Sequence, residues 1–161
     1  MSLEKHQKTE AVSTISIEAA TPEDVPDIVA LNKRVFSETY PDFPEVHTDE
    51  EDLEHFTSVL ENEDVRVARS EGKIFGYIAF SPGQLNKLYI DPEFQGHGLG
   101  EKLVDLAKAE NDHLLLWTFQ VNDKAKRFYE RLGFVAVQET DGTTNDEGQP
   151  DVQYEWKRSV D

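Results

Sequence analysis

The residues Leu88 to Lys108, "LYIDPEFQGHGLGEKLVDLAK", join a strand-like run to a helix through three glycines. The run ends at Asp91-Pro92, and from Gly98 to about Glu110 an amphipathic pattern places Leu99, Leu103, Leu106 and Ala107 on one face. Glycine costs a helix about 1 kcal/mol relative to alanine, so Gly96, Gly98 and Gly100 at alternate positions of a helix start need a reason. A helix start presents unpaired backbone N–H groups and the positive end of the helix dipole, which together attract anions. A phosphate reaches those groups only where side chains are missing. The stretch therefore reads as a phosphate cradle between a strand and a helix, in a chain that mixes the two.

Known phosphate loops separate by spacing. A Walker A loop requires Gly-Lys-Ser or Gly-Lys-Thr, and neither dipeptide occurs. The dinucleotide fingerprint requires G-x-G-x-x-G, whereas this loop reads "GHGLG", past the middle of a short chain. A nicotinamide-dependent oxidoreductase is disfavoured on that ground. The pattern Q/R-x-x-G-x-G/A is met by Gln95, Gly98 and Gly100, and here the sequence resembles the GNAT family of acetyl-CoA-dependent N-acetyltransferases. A second stretch, "NDKAKRFYERLGF" from Asn122 to Phe134, is similar to that family's other signature. The resemblance spans about residues 15–157.

It implies a GNAT fold of mixed α/β type, with a central mixed sheet of six to seven strands and about four helices. It implies acetyl-CoA as cosubstrate, no metal, and acetyl transfer to a primary amine by direct attack in a ternary complex. The amides from Gln95 through Gly96, His97, Gly98 and Leu99 to Gly100 would take the pyrophosphate of coenzyme A, and Asn122 would contact the cofactor. A backbone N–H in the Leu88-Tyr89-Ile90 segment would polarise the thioester carbonyl. Tyr129 would protonate the departing thiolate, a task suited to a phenol whose ordinary pKa is near 10. A non-catalytic acyl-CoA-binding module is the alternative, distinguished by release of thiol in the presence of an amine.

Removal of the amine proton has no clear owner, because the resemblance implies a Glu or a water chain near the fourth strand, and the corresponding "QLNKLYI" (84–90) carries no carboxylate. Water is the preferred base, with His47 and Glu45 as lesser candidates. His97 reads as pointing to solvent and His113 as ending a strand-entry loop. The resemblance implies that acceptor choice lies in "SETYPDFPEVH" (37–47) and "QETDGTTNDEGQPD" (138–151). Tyr40 and Phe43 would wall an apolar slot, and Glu38, Asp42 and Glu45 would hold a cationic amine.

The rest of the pattern agrees with one domain. Residues 1–12 read as a polar tail and 13–161 as a single acetyltransferase domain, opened by the strand "STISIEA" (13–19). Thr21-Pro22-Glu23-Asp24 is a helix start, with Thr21 as cap. Pro41 and Pro44 interrupt that helix, and a second one from Asp49 to Leu60 is expected to bury Leu53, Phe56 and Leu60. "DVRVARS" and "KIFGYIAFS" form a hairpin through Glu71-Gly72. "HLLLWTF" reads as a buried strand, "DKAKRFYERLGF" as a helix closed by Gly133, and "VQYEWKR" as the last strand. The segment 138–150 reads as a polar, acidic hairpin loop with no core-forming pattern.

The chain has 161 residues, 37% of them hydrophobic, and no cysteine, which excludes disulfides and thiol catalysis. Its net charge of −17 argues against nucleic acid as a partner, since that binding rests on lysine and arginine neutralising phosphates. A small-molecule or peptide amine fits better. No apolar run approaches the roughly 20 residues of a membrane span, and the first residues lack the apolar stretch of a signal peptide. These readings point to a cytoplasmic protein without a membrane partner. A homodimer is compatible with the sequence.

Overall fold

The computed structural model describes residues 15–159. The expected tail, residues 1–12, and the start of the first expected strand lie outside the described residues. The strand continues as β1 (Ser16–Ala19), and Thr21 leads into a 3-10 turn (Pro22–Asp24) that runs directly into α1 (Val25–Thr39). The Asp24 carboxylate accepts the Thr21 backbone N–H at 2.9 Å and takes Arg69 at 2.7 Å from the neighbouring strand. Helix α2 (Asp49–Asn62) begins with a capping box, in which the Thr48 hydroxyl accepts the Glu51 N–H and Glu51 accepts the Thr48 N–H.

Strands β2 (Asp64–Ser70), β3 (Lys73–Ser81) and β4 (Gln84–Ile90) form an antiparallel meander. Its first turn uses Glu71 and Gly72 at φ 53° and 78°, the left-handed pair that a two-residue hairpin requires. Helix α3 (Leu99–Ala109), β5 (His113–Phe119), α4 (Asp123–Arg131), β6 (Val135–Thr140) and β7 (Asp151–Lys157) complete the chain. The seven strands lie in the order β1-β2-β3-β4-β5-β7-β6. Neighbours are antiparallel except β4 and β5, which run parallel.

Apolar side chains on the two faces of this sheet form two cores. Ile28, Leu31, Val35, Phe56 and Val59 of α1 and α2 cover Val65, Val67 and Tyr77 on one face. On the other, Leu99, Leu103 and Val104 of α3 and Tyr129 of α4 cover Ile78, Leu114, Leu116 and Tyr154. This is the mixed α/β fold expected, with seven strands and four helices.

β4 and β5 pair only at Gln84 and Leu115, where the Leu115 N–H reaches the Gly83 carbonyl at 2.9 Å. Beyond that point each strand follows a different neighbour. β4 stays with β3 through Ile90, while β5 pairs with β7 along its whole length. The sheet therefore opens in its middle, and the opening is what places a site there.

Three expectations change. Leu53 is exposed, and α2 buries Phe56 and Val59, with Leu60 only partly covered. The N-terminal turn of α2 is held to α1 by charge instead, through Lys33 with Asp49 and Asp52. Strand β5 is buried at Leu114 and Leu116 but leaves Trp117 45% exposed, because Trp117 sits where β4 has parted from it. The polar hairpin loop expected over 138–150 is present but starts later, at 141. Gln138–Thr140 belong to β6, and the remainder closes on itself. Asn145 donates to the Gln149 carbonyl at 2.7 Å and accepts the Gln149 N–H at 3.2 Å, and Thr140 and Asn145 both bond the Asp151 carboxylate. Gly142 is buried at φ +89°, and a Cβ there would lie 2.4 Å from the Gln149 carbonyl carbon. Polar groups satisfied within the loop do the ordering that a hydrophobic pattern does elsewhere.

Candidate active site

The opening between β4 and β5 is a cleft of about 1120 Å³. One flank is the turn from Gln95 to Gly100 with α3 and α4. Asp91, itself buried, accepts the Glu93 N–H at 3.0 Å and is held by Arg34 of α1, so the Asp91-Pro92 break is a fixed corner. Gly96 and Gly98 take φ of +83° and +81° with open space where a Cβ would point, and Gly98 is the cap of α3. That conformation disfavours any side chain, and the amides of Gly96 and Gly98 donate to no described group. Gly100 serves differently. A Cβ there would lie 3.1 Å from the Phe128 ring, so this glycine lets α4 close against α3.

Gln95 ties the turn to its surroundings. Its amide donates to the Ile90 carbonyl at 3.0 Å, and its oxygen accepts Lys124 of α4 at 2.5 Å. Lys124, Arg127 and Arg131 all line this flank. In a chain with net charge −17 they make a local cationic edge beside the glycine turn.

Tyr129 stands between the flanks. Phe128, Phe134 and Tyr154 surround its ring with centroids 5.2, 5.6 and 6.5 Å away. The end of α4 fixes it further, since the Phe134 N–H bonds the Tyr129 carbonyl at 3.0 Å and the Gly133 N–H bonds Glu130 at 3.1 Å, the two bonds of a Schellman motif. Burial pushes the Tyr129 phenol well above its ordinary value of 10, with Tyr89 and Tyr40 adding to the effect. The hydroxyl makes no hydrogen bond to another described residue, and Tyr129 lines the cleft.

The opposite flank is aromatic. Tyr40 stacks on Phe43 at 4.6 Å and meets the edge of Phe119 at 5.2 Å. Tyr40 and Phe119 line the cleft, and Phe43 backs them. Asn122 caps α4 by accepting the Ala125 N–H at 3.0 Å and donates to the Tyr40 hydroxyl at 2.7 Å, which joins the two flanks. Burial raises the Tyr40 phenol, and hydrogen bonds from Asn122 and Thr118 partly offset this.

Leu88, Tyr89, Ile90, Gln95, Gly96, Gly98, Gly100, Asn122 and Tyr129 thus meet in one cleft. The side chain of Leu99 belongs to the core and His97 is exposed. Glu38, Asp42 and Glu45 are exposed and line no part of the cleft. His47 faces Asp146 at 3.3 Å and Glu51 at 3.8 Å, and His113 pairs with Glu155 at 2.6 Å. The cleft also takes Lys87 from β4 and Glu147 from the β6–β7 loop, neither singled out in the sequence. For Lys87 a lysine inside a strand-like run was the available signal. For Glu147 none existed, because the loop's closure is invisible along the chain.

A glycine turn capping a helix thus stands at the mouth of a cleft opened by the splay of a mixed sheet. Residues 61–136 match the family model described as an acetyltransferase (GNAT) domain. The chain is 32% identical over 123 residues to the peptidyl-lysine N-acetyltransferase YjaB of Escherichia coli, covering 74% of this chain and 82% of that one. It is 28% identical over 135 residues to an uncharacterized N-acetyltransferase of Archaeoglobus fulgidus, covering 71% and 89%. Among solved structures, the PaiA N-acetyltransferase of Thermoplasma acidophilum in complex with coenzyme A superposes with a TM-score of 0.70 at 19% identity, over 89% of this chain and 98% of that one. The chain belongs to the GNAT family of acetyltransferases.

Proposed function

We propose that this protein, from residue 13 onward one acetyltransferase domain, transfers the acetyl group of acetyl-CoA to a primary amine within a ternary complex. The observation that carries this reading is the cleft itself, with the glycine turn and cations on one flank, an aromatic wall on the other and Tyr129 between them. These residues suit the cosubstrate. The amides of the turn from Gln95 to Gly100, with those of His97 and Leu99 between, receive the pyrophosphate, and Lys124, Arg127 and Arg131 supply countercharge. The relatives named as N-acetyltransferases, and the coenzyme A bound by the Thermoplasma protein, support the same assignment.

Past Gln84 and Leu115, backbone N–H groups of Leu88-Tyr89-Ile90 that face β5 have no strand partner. One of them donates to the thioester oxygen, and a donor already in place needs no reorganisation as charge develops. The amine nitrogen forms a bond to the acetyl carbon, the carbon–sulfur bond breaks, and Tyr129 gives its proton to the thiolate. The amine's surplus proton leaves through solvent and restores the phenol. The Tyr129 phenol is protonated at neutral pH, as an acid requires, and burial raises its pKa further. Asn122 holds the start of α4 and the Tyr40 ring, and its carboxamide oxygen retains a second lone pair for the cofactor arm.

Calorimetry with acetyl-CoA, followed by thiol release across a panel of amines, tests the reading. Binding with amine-dependent thiol release is expected. Binding without release by any amine would leave a non-catalytic acyl-CoA module, and absence of binding would overturn the assignment.

A further inference from the structure

Two charged side chains in the acceptor half of the cleft are used by nothing described above. Lys87 sits on the face of β4 that meets α2, with Nζ 5.4 Å from the centre of the Phe56 ring. It has no ion pair or hydrogen bond with a described residue. The carboxylates whose charge reaches it are engaged elsewhere or stand off, since Glu63 accepts Asn86 at 2.6 Å and Asp52 faces Lys33 at 3.5 Å. Glu147 comes from the β6–β7 loop and lines the same cleft. Its carboxylate likewise bonds no described residue, although its charge is felt at both Lys87 and Tyr89. The closure of the loop through Asn145, Gln149 and Asp151 holds Glu147 in place.

A cation and an anion, both half-buried and neither in an ion pair or hydrogen bond with a described residue, face one cavity. Each loses water there without gaining a partner, which favours a ligand that supplies the missing charges. We propose that Lys87 and Glu147 together bind the acceptor, and that the acceptor is a primary amine bearing a carboxylate, in the manner of a free amino acid. The proposal rests on the acetyl-transfer reading and names its substrate class. The acceptor carboxylate pairs with Lys87 and its ammonium with Glu147. Glu147 takes one proton from the ammonium, the freed nitrogen bonds the acetyl carbon as the carbon–sulfur bond breaks, and Tyr129 protonates the thiolate. The nitrogen's remaining surplus proton returns to Tyr129 through solvent, leaving amide, thiol and one proton held by Glu147 for release. A zwitterion also carries no net charge, so the overall charge of −17 neither repels nor gathers it.

Matched acceptors test this on the full chain by thiol release at saturating acetyl-CoA. The pairs are L-lysine with 1,5-diaminopentane, L-ornithine with 1,4-diaminobutane, L-phenylalanine with 2-phenylethylamine, and L-tyrosine with tyramine. An Nα-acetyl-lysine methylamide stands for a peptide lysine. Expected is a kcat/KM at least tenfold higher for the carboxylate-bearing member of a reacting pair. Lys87→Met, which keeps the packing on Phe56, should raise its KM by about tenfold to a hundredfold, the worth of one charge-assisted hydrogen bond. The decarboxylated partner should be unaffected, and Lys87→Arg should restore part of the loss. Glu147→Gln should lower kcat/KM for both members. The proposal is overturned if bare amines or the peptide mimic react as well as amino acids, or if Lys87→Met leaves the ratio unchanged. It is also overturned if no amino acid reacts although calorimetry shows acetyl-CoA bound. Failure to bind acetyl-CoA would instead remove the acetyl-transfer reading beneath it.

Discussion

The two flanks of the cleft are built in different ways. The glycine flank comes from the turn of residues 95–100 with α3 and α4, in which each glycine and cap acts on its immediate neighbours. The acceptor flank draws Tyr40 from the end of α1, Lys87 and Tyr89 from β4, Phe119 from β5 and Glu147 from the β6–β7 loop. The first is a local motif and tolerates a change of acceptor. The second exists only after β4 and β5 have parted and the loop has closed. Variants confined to one flank should therefore separate acetyl-CoA affinity from acceptor KM.

The largest effect is expected where the flanks meet. Tyr129→Phe keeps the ring contacts with Phe128 and Phe134, so melting temperature and acetyl-CoA affinity should hold while kcat falls by roughly 10² to 10⁴. Unchanged turnover under a rate-limiting chemical step would return Tyr129 to the core. Next comes Gly142→Ala, which puts a methyl against the Gln149 backbone at positive φ and should cost about 2 to 4 kcal/mol of stability. Below its lowered melting point it should raise acceptor KM and leave the dissociation constant of acetyl-CoA alone. A shift in both constants would break the separation of the flanks.

Gly98 sharpens the other side. Gly98→Val combines a side chain in the cradle with strain at φ +81°, roughly 1 to 2 kcal/mol. Gly98→Asn tolerates that conformation better, so it isolates obstruction from strain. Both variants should weaken acetyl-CoA binding in calorimetry, by about tenfold for Asn, with little change in acceptor KM. Tight binding by folded Gly98→Asn would remove the turn as a phosphate site.

The smallest effect is in pH. Tyr77, Tyr89 and Tyr129 are all raised above 10 by burial. Their stabilisation is complete below the ordinary tyrosine pKa of about 10. It is lost as pH rises from there through the folded values, because the unfolded chain ionises first. A pH series of melts should be flat in this respect to about pH 10 and then fall. Turnover should climb with free amine over the same range without an alkaline loss from Tyr129, and a loss centred below pH 10 would contradict its burial.

The glycine turn, the caps at Thr21 and Gly133, the hairpin at Glu71-Gly72 and the helix faces were legible in the sequence, as was the family that the two motifs resemble. Each rests on interactions within a few residues, where backbone dihedrals and periodicity suffice. Trp117 and Leu53 were misread, because their exposure depends on which strand or helix arrives beside them, and the polar hairpin loop was anticipated without its internal closure. The aromatic wall was half visible, with Tyr40 and Phe43 anticipated but Phe119 hidden in a strand. The amino-acid sequence by itself determined the fold, the glycine turn before α3 and the phenol on α4. Only the tertiary structure decided that Glu38, Asp42 and Glu45 stay outside the cleft while Lys87 and Glu147 enter it. The reason is physical: the splay of β4 from β5 and the knot around Asp151 join residues sixty positions apart, and no local propensity encodes that meeting.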